Sequence, residues 1–363
     1  MKKGLIFILL FLVSVSGFSQ ETKFITSNDS SLNYMGRIEK LDSLSNFYWS
    51  GSSVQIKVKN TATVKAVLSE NIDSNYLDIV VDGKYIKKIK ILKGKHTYEL
   101  VNNLNNKTHI IQLFKPTNND EHVIGFYGFV VDSNAKVNKQ KNKQQLKMEF
   151  FGNSITCGHG VEVPVGSSDS GAPDFFNNYL AYGAITSRHF DAQYHCTAKS
   201  GIGVVVSWFD IIMPEMYDRL NPNDPKSKWD FSKYQPHIVV VNLFQNDSWI
   251  VNMPDHQQFK NRFGTEKPSD QVLKDSYISF IRSLRKVYPK AKIICVLGNM
   301  DITKKGSKWP NLVGDATKSL NDPNIFTHFF KYKDSDGHPK VAEQQAMATD
   351  LIDFIKKNKL NKF

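Results

Sequence analysis

Cysteine is scarce in this chain. Three are present in 363 residues, Cys157, Cys196 and Cys295, so one bridge is the most they could form. Each lies in or beside an apolar run, where a buried thiol acts as a small hydrophobe, and we expect no disulfide. There is no C-x-x-C pair and no His/Cys cluster at zinc spacing, which argues against a structural metal. Beyond residue 20 no stretch approaches eighteen consecutive apolar residues, so nothing there reads as a membrane-spanning helix. Internal repeats are also missing, and residues 133–146 form the one compositionally biased segment.

What is present begins with an export signal. MKKGLIFILLFLVSVSGFSQ has two lysines, an apolar stretch from Leu5 to Val15 and a small-x-small site at Gly17-Phe18-Ser19, the layout of a cleavable signal peptide over residues 1–19. The mature protein is expected to be secreted or periplasmic, with no lipid anchor because no cysteine follows the apolar run. The net charge of +12 loses two lysines with that peptide, and five more crowd between Lys136 and Lys147. The rest are scattered, which reads as a solvated basic surface rather than a nucleic-acid footprint; attraction to acidic polysaccharide is the sharper alternative.

Two grammars follow one another. From about 34 to 132 the period is two: Val54, Ile56 and Val58 alternate with Gln55, Lys57 and Lys59, and Val64, Ala66, Leu68 and then Leu77, Ile79, Val81 repeat the pattern. Further strands are expected over 85–91, 96–100, 109–114 and 124–131. Many short strands at regular spacing imply a jelly-roll β-sandwich, taken as residues 20–132. Residues 133–146, SNAKVNKQKNKQQL, lose periodicity and read as a linker. From 147 to 363 apolar runs (148–151, 193–198, 237–244, 292–297, 325–329) alternate with helical stretches over 179–190, 271–287 and 341–355. In the last, Val341, Gln345, Ala348, Leu351, Ile352 and Ile355 fall on one helical face. Strands alternating with helices predict a parallel sheet covered on both sides, with its site at the carboxyl ends of the strands.

Four of those ends carry chemistry. In FFGNSITCGHG an apolar run stops at Gly-Asn-Ser, so Ser154 is displayed where a strand hands over to a turn, a nucleophile's position, although Gly-Asn-Ser also makes ordinary turns and caps. His338, in KDSDGHPK, lies on a rim loop as a candidate base, with Asp336 two residues earlier as an acid that could orient it. Asn246, at the end of VVVNLFQND, offers an amide to an oxyanion, and Gly201 lets a backbone N–H approach a ligand closely. With the Ser154 N–H these make a candidate oxyanion hole. Trp249, Trp208 and Tyr182 are aromatic candidates for stacking on sugar rings, for which burial in the core is the competing fate.

The order Ser154, Gly201, Asn246, His338 resembles the four blocks of the SGNH (GDSL-type) hydrolases, over residues 147–357. With the sandwich, including GRIEK and FYWSGSSVQIKVKNT, and with NNYLAYGAITSRHF and DGHPKVAEQQAMA, the mature chain resembles carbohydrate esterase family two. That resemblance implies a flavodoxin-like SGNH three-layer α/β/α domain and removal of O-acetyl groups from plant-type polysaccharides of xylan or glucomannan type, with preference for a sugar's primary hydroxyl. It implies no metal or organic cofactor, an acetylated polysaccharide or oligosaccharide as partner, and a monomer.

Three departures stand out. Asn153 replaces the usual Asp beside the serine. Phe244 stands where Gly opens the asparagine block, a bulky ring expected to narrow or reshape the pocket. The superfamily's acid position, three before the histidine, is Ser335, so Asp336 takes the role, or a backbone carbonyl as in some relatives. Two rival functions stay open: a catalytically inactive carbohydrate-binding protein on this fold, and a lipase or thioesterase of the superfamily, against which the lack of a lid-like apolar helix counts.

Overall fold

The structure is a computed structural model that describes residues 21–118, 123–140 and 145–362. The expected signal peptide and part of the expected linker lie outside the described residues.

The first domain pairs twelve described strands in two antiparallel sheets: β1 Thr22–Thr26, β2 Asn33–Met35, β3 Ile38–Lys40, β4 Ser45–Phe47, β5 Ser53–Lys59, β6 Val64–Glu70, β7 Tyr76–Val81, β8 Lys84–Lys90, β9 Gly94–Val101, β10 His109–Phe114, β11 Ile124–Asp132 and β12 Lys136–Val137. One sheet runs β3-β4-β11-β6-β9 with β1 on β11, the other β12-β5-β10-β7-β8 with β2 on β5. The alternation does what it predicts: Val54, Ile56, Val58, Val64, Ala66, Leu68, Leu77 and Ile79 are all fully buried between the sheets. The expected linker is not wholly irregular, since Lys136 and Val137 pair with Lys59 and Val58. β1, upstream of the periodic region, adds to β11.

The second domain has a five-stranded parallel sheet, β13 Lys147–Gly152, β14 Gln193–Ala198, β15 Ile238–Asn242, β16 Lys292–Leu297 and β17 Ile325–Phe329, in the order β14-β13-β15-β16-β17. Its helices are α1 Ser154–Cys157, α2 Tyr182–His189, α3 Met213–Met216, α4 Gln245–Ile250, α5 Gln257–Phe263, α6 Asp270–Val287, α7 Trp309–Ser319 and α8 Val341–Lys357. Two apolar cores flank the sheet, giving the three-layer SGNH-type architecture. The β15 run Ile238–Asn242 is buried at every residue, as a strand covered on both faces must be. The face of α8 differs from the expected one. Gln344, Met347, Ala348, Leu351, Ile352 and Ile355 are buried, while Val341 is 44% exposed and Gln345 lies outside, because Gln344 turns inward to bond two backbone groups at the site. The cysteines are buried and unbridged, and among the described residues no helix is long and apolar enough to cross a membrane.

Candidate active site

Gly152 at the end of β13 stands opposite Ala198 of β14 and Asn242 of β15. Three neighbouring strands therefore end in one row, and the segments leaving them start within about 10 Å, two strand spacings. A Cβ on Gly152 would lie 2.0 Å from Thr156 Oγ1; glycine is what lets β13 turn directly into α1. Asn153 caps that helix, its Oδ1 accepting the N–H of Ile155 at 3.1 Å, a task needing an oxygen and no charge. Ser154 thus opens α1 with its hydroxyl at the sheet edge.

The histidine arrives from the far end of the sheet. Gln344 of α8 accepts from the N–H of Tyr182 at 2.8 Å and donates to the Ile155 carbonyl at 3.0 Å, tying the last helix to α1 and α2. His338 Nε2 then lies 2.8 Å from Ser154 Oγ. Its Nδ1 lies 2.6 Å from Asp169 Oδ2, which also accepts the His338 backbone N–H at 2.8 Å. With a carboxylate on Nδ1 the proton sits there, leaving Nε2 to accept from the serine. Lys340 Nζ holds the other Asp169 oxygen at 2.7 Å. The hydrogen bond from His338 is the main cause that holds the Asp169 carboxyl well below the usual carboxylate range. Beside it, His159 covers the ring of His338 at 4.3 Å between centroids, and burial lowers its own pKa to about 4.

Asp336 is therefore not the group that orients the histidine. It is exposed, its side chain makes no hydrogen bond among the described residues, and its carbonyl accepts from Lys333 Nζ. Gly337, at φ +70°, turns the chain between the two residues, and a Cβ there would come within 2.5 Å of Asp169 Oδ1. Ser335 donates instead to Glu343. Sequence reasoning missed Asp169 because it lies in the irregular 158–178 segment, 169 residues from His338, with no periodicity to place it; glycine beside the histidine was the one available hint.

Asn246 and Gly201 meet through the loop after β14. Asn246 Nδ2 donates to the Ile202 carbonyl at 2.7 Å, and its Oδ1 accepts from Trp208 Nε1 at 3.0 Å, leaving one amide N–H uncommitted among the described residues. Asp247, fully buried, gathers the N–H groups of Val204, Val205 and Val206 on its carboxylate, the shortest at 2.7 Å. Burial pushes its pKa up to about 6 against these bonds. Gly201 has φ +83°, a left-handed turn that suits glycine.

The aromatic candidates separate. Trp208 is 41% exposed, 6.5 Å from Trp249 and edge-on to His256 at 5.2 Å, an open ring surface beside Asn246. Trp249 is partly buried, with Nε1 on Asp301 Oδ2 at 2.7 Å. Tyr182 is fully buried, its hydroxyl 3.0 Å from Thr156 Oγ1; it belongs to the core and cannot stack on a sugar. Phe244 does not narrow the pocket either. Its ring is buried in the core, stacked on Tyr277 at 5.0 Å, and the residue takes φ +75°, a left-handed conformation that favours glycine. Among the described residues no group of His, Cys, Asp and Glu is placed to hold a metal.

Residues 34–140 match the family model "Carbohydrate esterase 2 N-terminal". Over 325 residues the chain is 31% identical to a cellulase/esterase, CelE, of Acetivibrio thermocellus, covering 86% of this chain but 37% of that protein. It is 23% identical to an acetylxylan esterase / glucomannan deacetylase of Cellvibrio japonicus, covering 91% of this chain and 89% of that one. Among solved structures, a family two carbohydrate esterase from Clostridium thermocellum in complex with cellohexaose superposes with a TM-score of 0.79 at 27% identity, over 90% of this chain and 99% of that one.

Proposed function

We propose that this chain, which resembles the family two carbohydrate esterases across both of its domains, is a secreted carboxylic ester hydrolase removing O-acetyl groups from xylan- or glucomannan-type polysaccharides through a serine acyl-enzyme. The observation that carries the reading is the Asp169–His338–Ser154 relay at the strand ends. In it, His338 Nε2 takes the Ser154 proton as Oγ attacks the acetyl carbonyl. The negative charge on the carbonyl oxygen is met by the free N–H of Asn246, the Gly201 N–H and the Ser154 N–H, each worth about 3 kcal/mol of barrier. The imidazolium, held by Asp169, returns the proton to the departing sugar oxygen, and water, deprotonated by the same nitrogen, releases acetate. Trp208 and Trp249 supply an apolar surface for the sugar ring, and a primary hydroxyl's acetyl, projecting furthest from the ring, reaches Ser154 most easily.

The test is acetate release from acetylated xylan and glucomannan, alongside nitrophenyl acetate, by the wild type and Ser154→Ala. The wild type is expected to act on all three and the variant on none. Activity retained by Ser154→Ala removes the mechanism; a preference for long acyl chains moves the protein to the lipases, and no turnover at all leaves a binding protein.

A further inference from the structure

Jelly-roll sheets with a solvated outer face alternate apolar and polar residues, but β7 is buried on both faces across Leu77 to Val80. The second domain covers that outer face, and the cover is incomplete. Between β5, β7 and β10 on one side and α2 and the start of β14 on the other lies a cleft of about 450 Å³, within the range of small-molecule sites. It opens beside Tyr194, four residues before Ala198 where β14 ends at the active site, roughly 13 Å along the strand. It is a separate site.

Its lining is amides over an aromatic floor. Gln55 Oε1 accepts from Asn33 and Gln140, at 3.4 and 3.1 Å, while its Nε2 has no acceptor among the described residues. Gln112 Nε2 donates to Ser53 at 3.1 Å, and its Oε1 receives nothing among the described residues. Phe114 and Tyr179, edge to face at 5.3 Å, form the apolar surface. The Arg188 guanidinium lies over Tyr179, 3.7 Å from the ring centre, and none of its side-chain N–H groups finds a protein acceptor among the described residues. One cation set near Asp82 and Asp191 does not suit a phosphate or a polyanion. Amides that offer donor and acceptor together and an unspent guanidinium match the vicinal hydroxyls of a pyranose, with Phe114 and Tyr179 closing the cleft behind them.

We propose that this inter-domain cleft is a second binding site, one that takes a short neutral oligosaccharide. It holds glycan on the sandwich while Ser154 works on another part of the same or a neighbouring chain. Binding in the cleft does not depend on the esterase reading, on which only its service to Ser154 rests, and its test is separable from it. The Ser154→Ala protein is titrated calorimetrically with xylotetraose, cellotetraose and mannotetraose, alone and with Gln55→Ala/Gln112→Ala, with Arg188→Gln, or with Trp208→Ala. Binding of at least one tetraose is expected, weakened at least tenfold by each cleft variant and kept by Trp208→Ala, with Tm unchanged in all. In the Ser154-containing protein the cleft variants should hydrolyse nitrophenyl acetate within twofold of wild type. Absence of binding, equal binding by the cleft variants, or loss confined to Trp208→Ala overturns the proposal.

Discussion

Asp169→Ala removes the one acceptor on His338 Nδ1. Two bonds from the histidine go with it, at 2.6 and 2.8 Å, as does the pair with Lys340. At an effective dielectric near 20, a carboxylate about 4 Å from an imidazolium is worth about 4 kcal/mol. Lys340 opposes part of that attraction, and the Asp169 side chain is 28% exposed, so solvent takes a further share. About 3 kcal/mol remains, a fall of about 10²-fold in kcat, with KM little changed because the carboxylate does not touch the sugar. Asp336→Ala, which removes an exposed side chain, should stay within twofold of wild type. Nitrophenyl acetate kinetics on both variants decide the matter, and a normal rate in Asp169→Ala or an equal loss in Asp336→Ala refutes the reasoning. A second readout is stability. The folded-state pKa of Asp169 is depressed, so its contribution is present above the unfolded pKa near 3.9 and disappears as the pH falls. The variant should melt earlier than wild type at pH 6, and the gap should begin to narrow only below about pH 4, closing as the pH falls through the depressed folded-state pKa.

Trp208→Phe keeps a ring but loses the Nε1–H that fixes Asn246; kcat should fall about fivefold, the worth of one neutral hydrogen bond, and an unchanged kcat counts against Trp208 as a positioning residue. Asp78 is fully buried with both oxygens unpartnered among the described residues, and burial raises its pKa from 3.8 to about 8. The folded state therefore holds a proton that the unfolded chain releases, and stability falls as the pH climbs between those values. Asp78→Asn should match wild type near pH 4 and be more stable at pH 9 by about 1–3 kcal/mol, as read by denaturant melts; no gain at pH 9 refutes it. Gly203→Ala would set a Cβ 1.9 Å from the Val206 carbonyl and 2.6 Å from Asp247 Oδ2. The loop carrying Gly201 must then shift, and a loss of kcat above tenfold is expected.

Much of the fold was legible because burial writes itself into period. The β5 and β6 alternation and the unbroken apolar run of β15 placed three strands, although the run read over 237–244 overshoots β15, which spans Ile238–Asn242. Ser154, Gly201 and Asn246 were legible for a related reason: each follows a buried strand, so its position along the chain is also its position in space. His338 was read from the other side, from its place just before Pro339 and the last helix, α8 Val341–Lys357. Asp169 was not, since nothing local fixes a residue in an irregular segment; a carboxylate two residues from the histidine looked sufficient until Gly337 turned it away. Tyr182 and Phe244 failed differently. Proximity in sequence to the site said nothing of direction, and both rings point into the core.

The sandwich is more than a neighbour to this site. Arg37, buried in the loop before β3, donates to the carbonyls of Tyr217 and Arg219 and pairs at 2.9 Å with Glu149, a residue of β13 five positions before Ser154. Glu149 is also bonded by Thr197 on β14 and by Tyr288, so one arginine of the first domain neutralises a buried charge on the strand that leads into Ser154. Trp49 donates to the Leu220 carbonyl at 2.7 Å, and Asn118 accepts from the N–H of Ser200, next to Gly201, at 3.4 Å. A carboxylate left in that interior without its partner would cost about 3–5 kcal/mol, a large part of a domain's whole stability. The second domain is therefore not built to stand alone: the strand that displays Ser154 and the loop that carries Gly201 both lean on contacts only the sandwich can make.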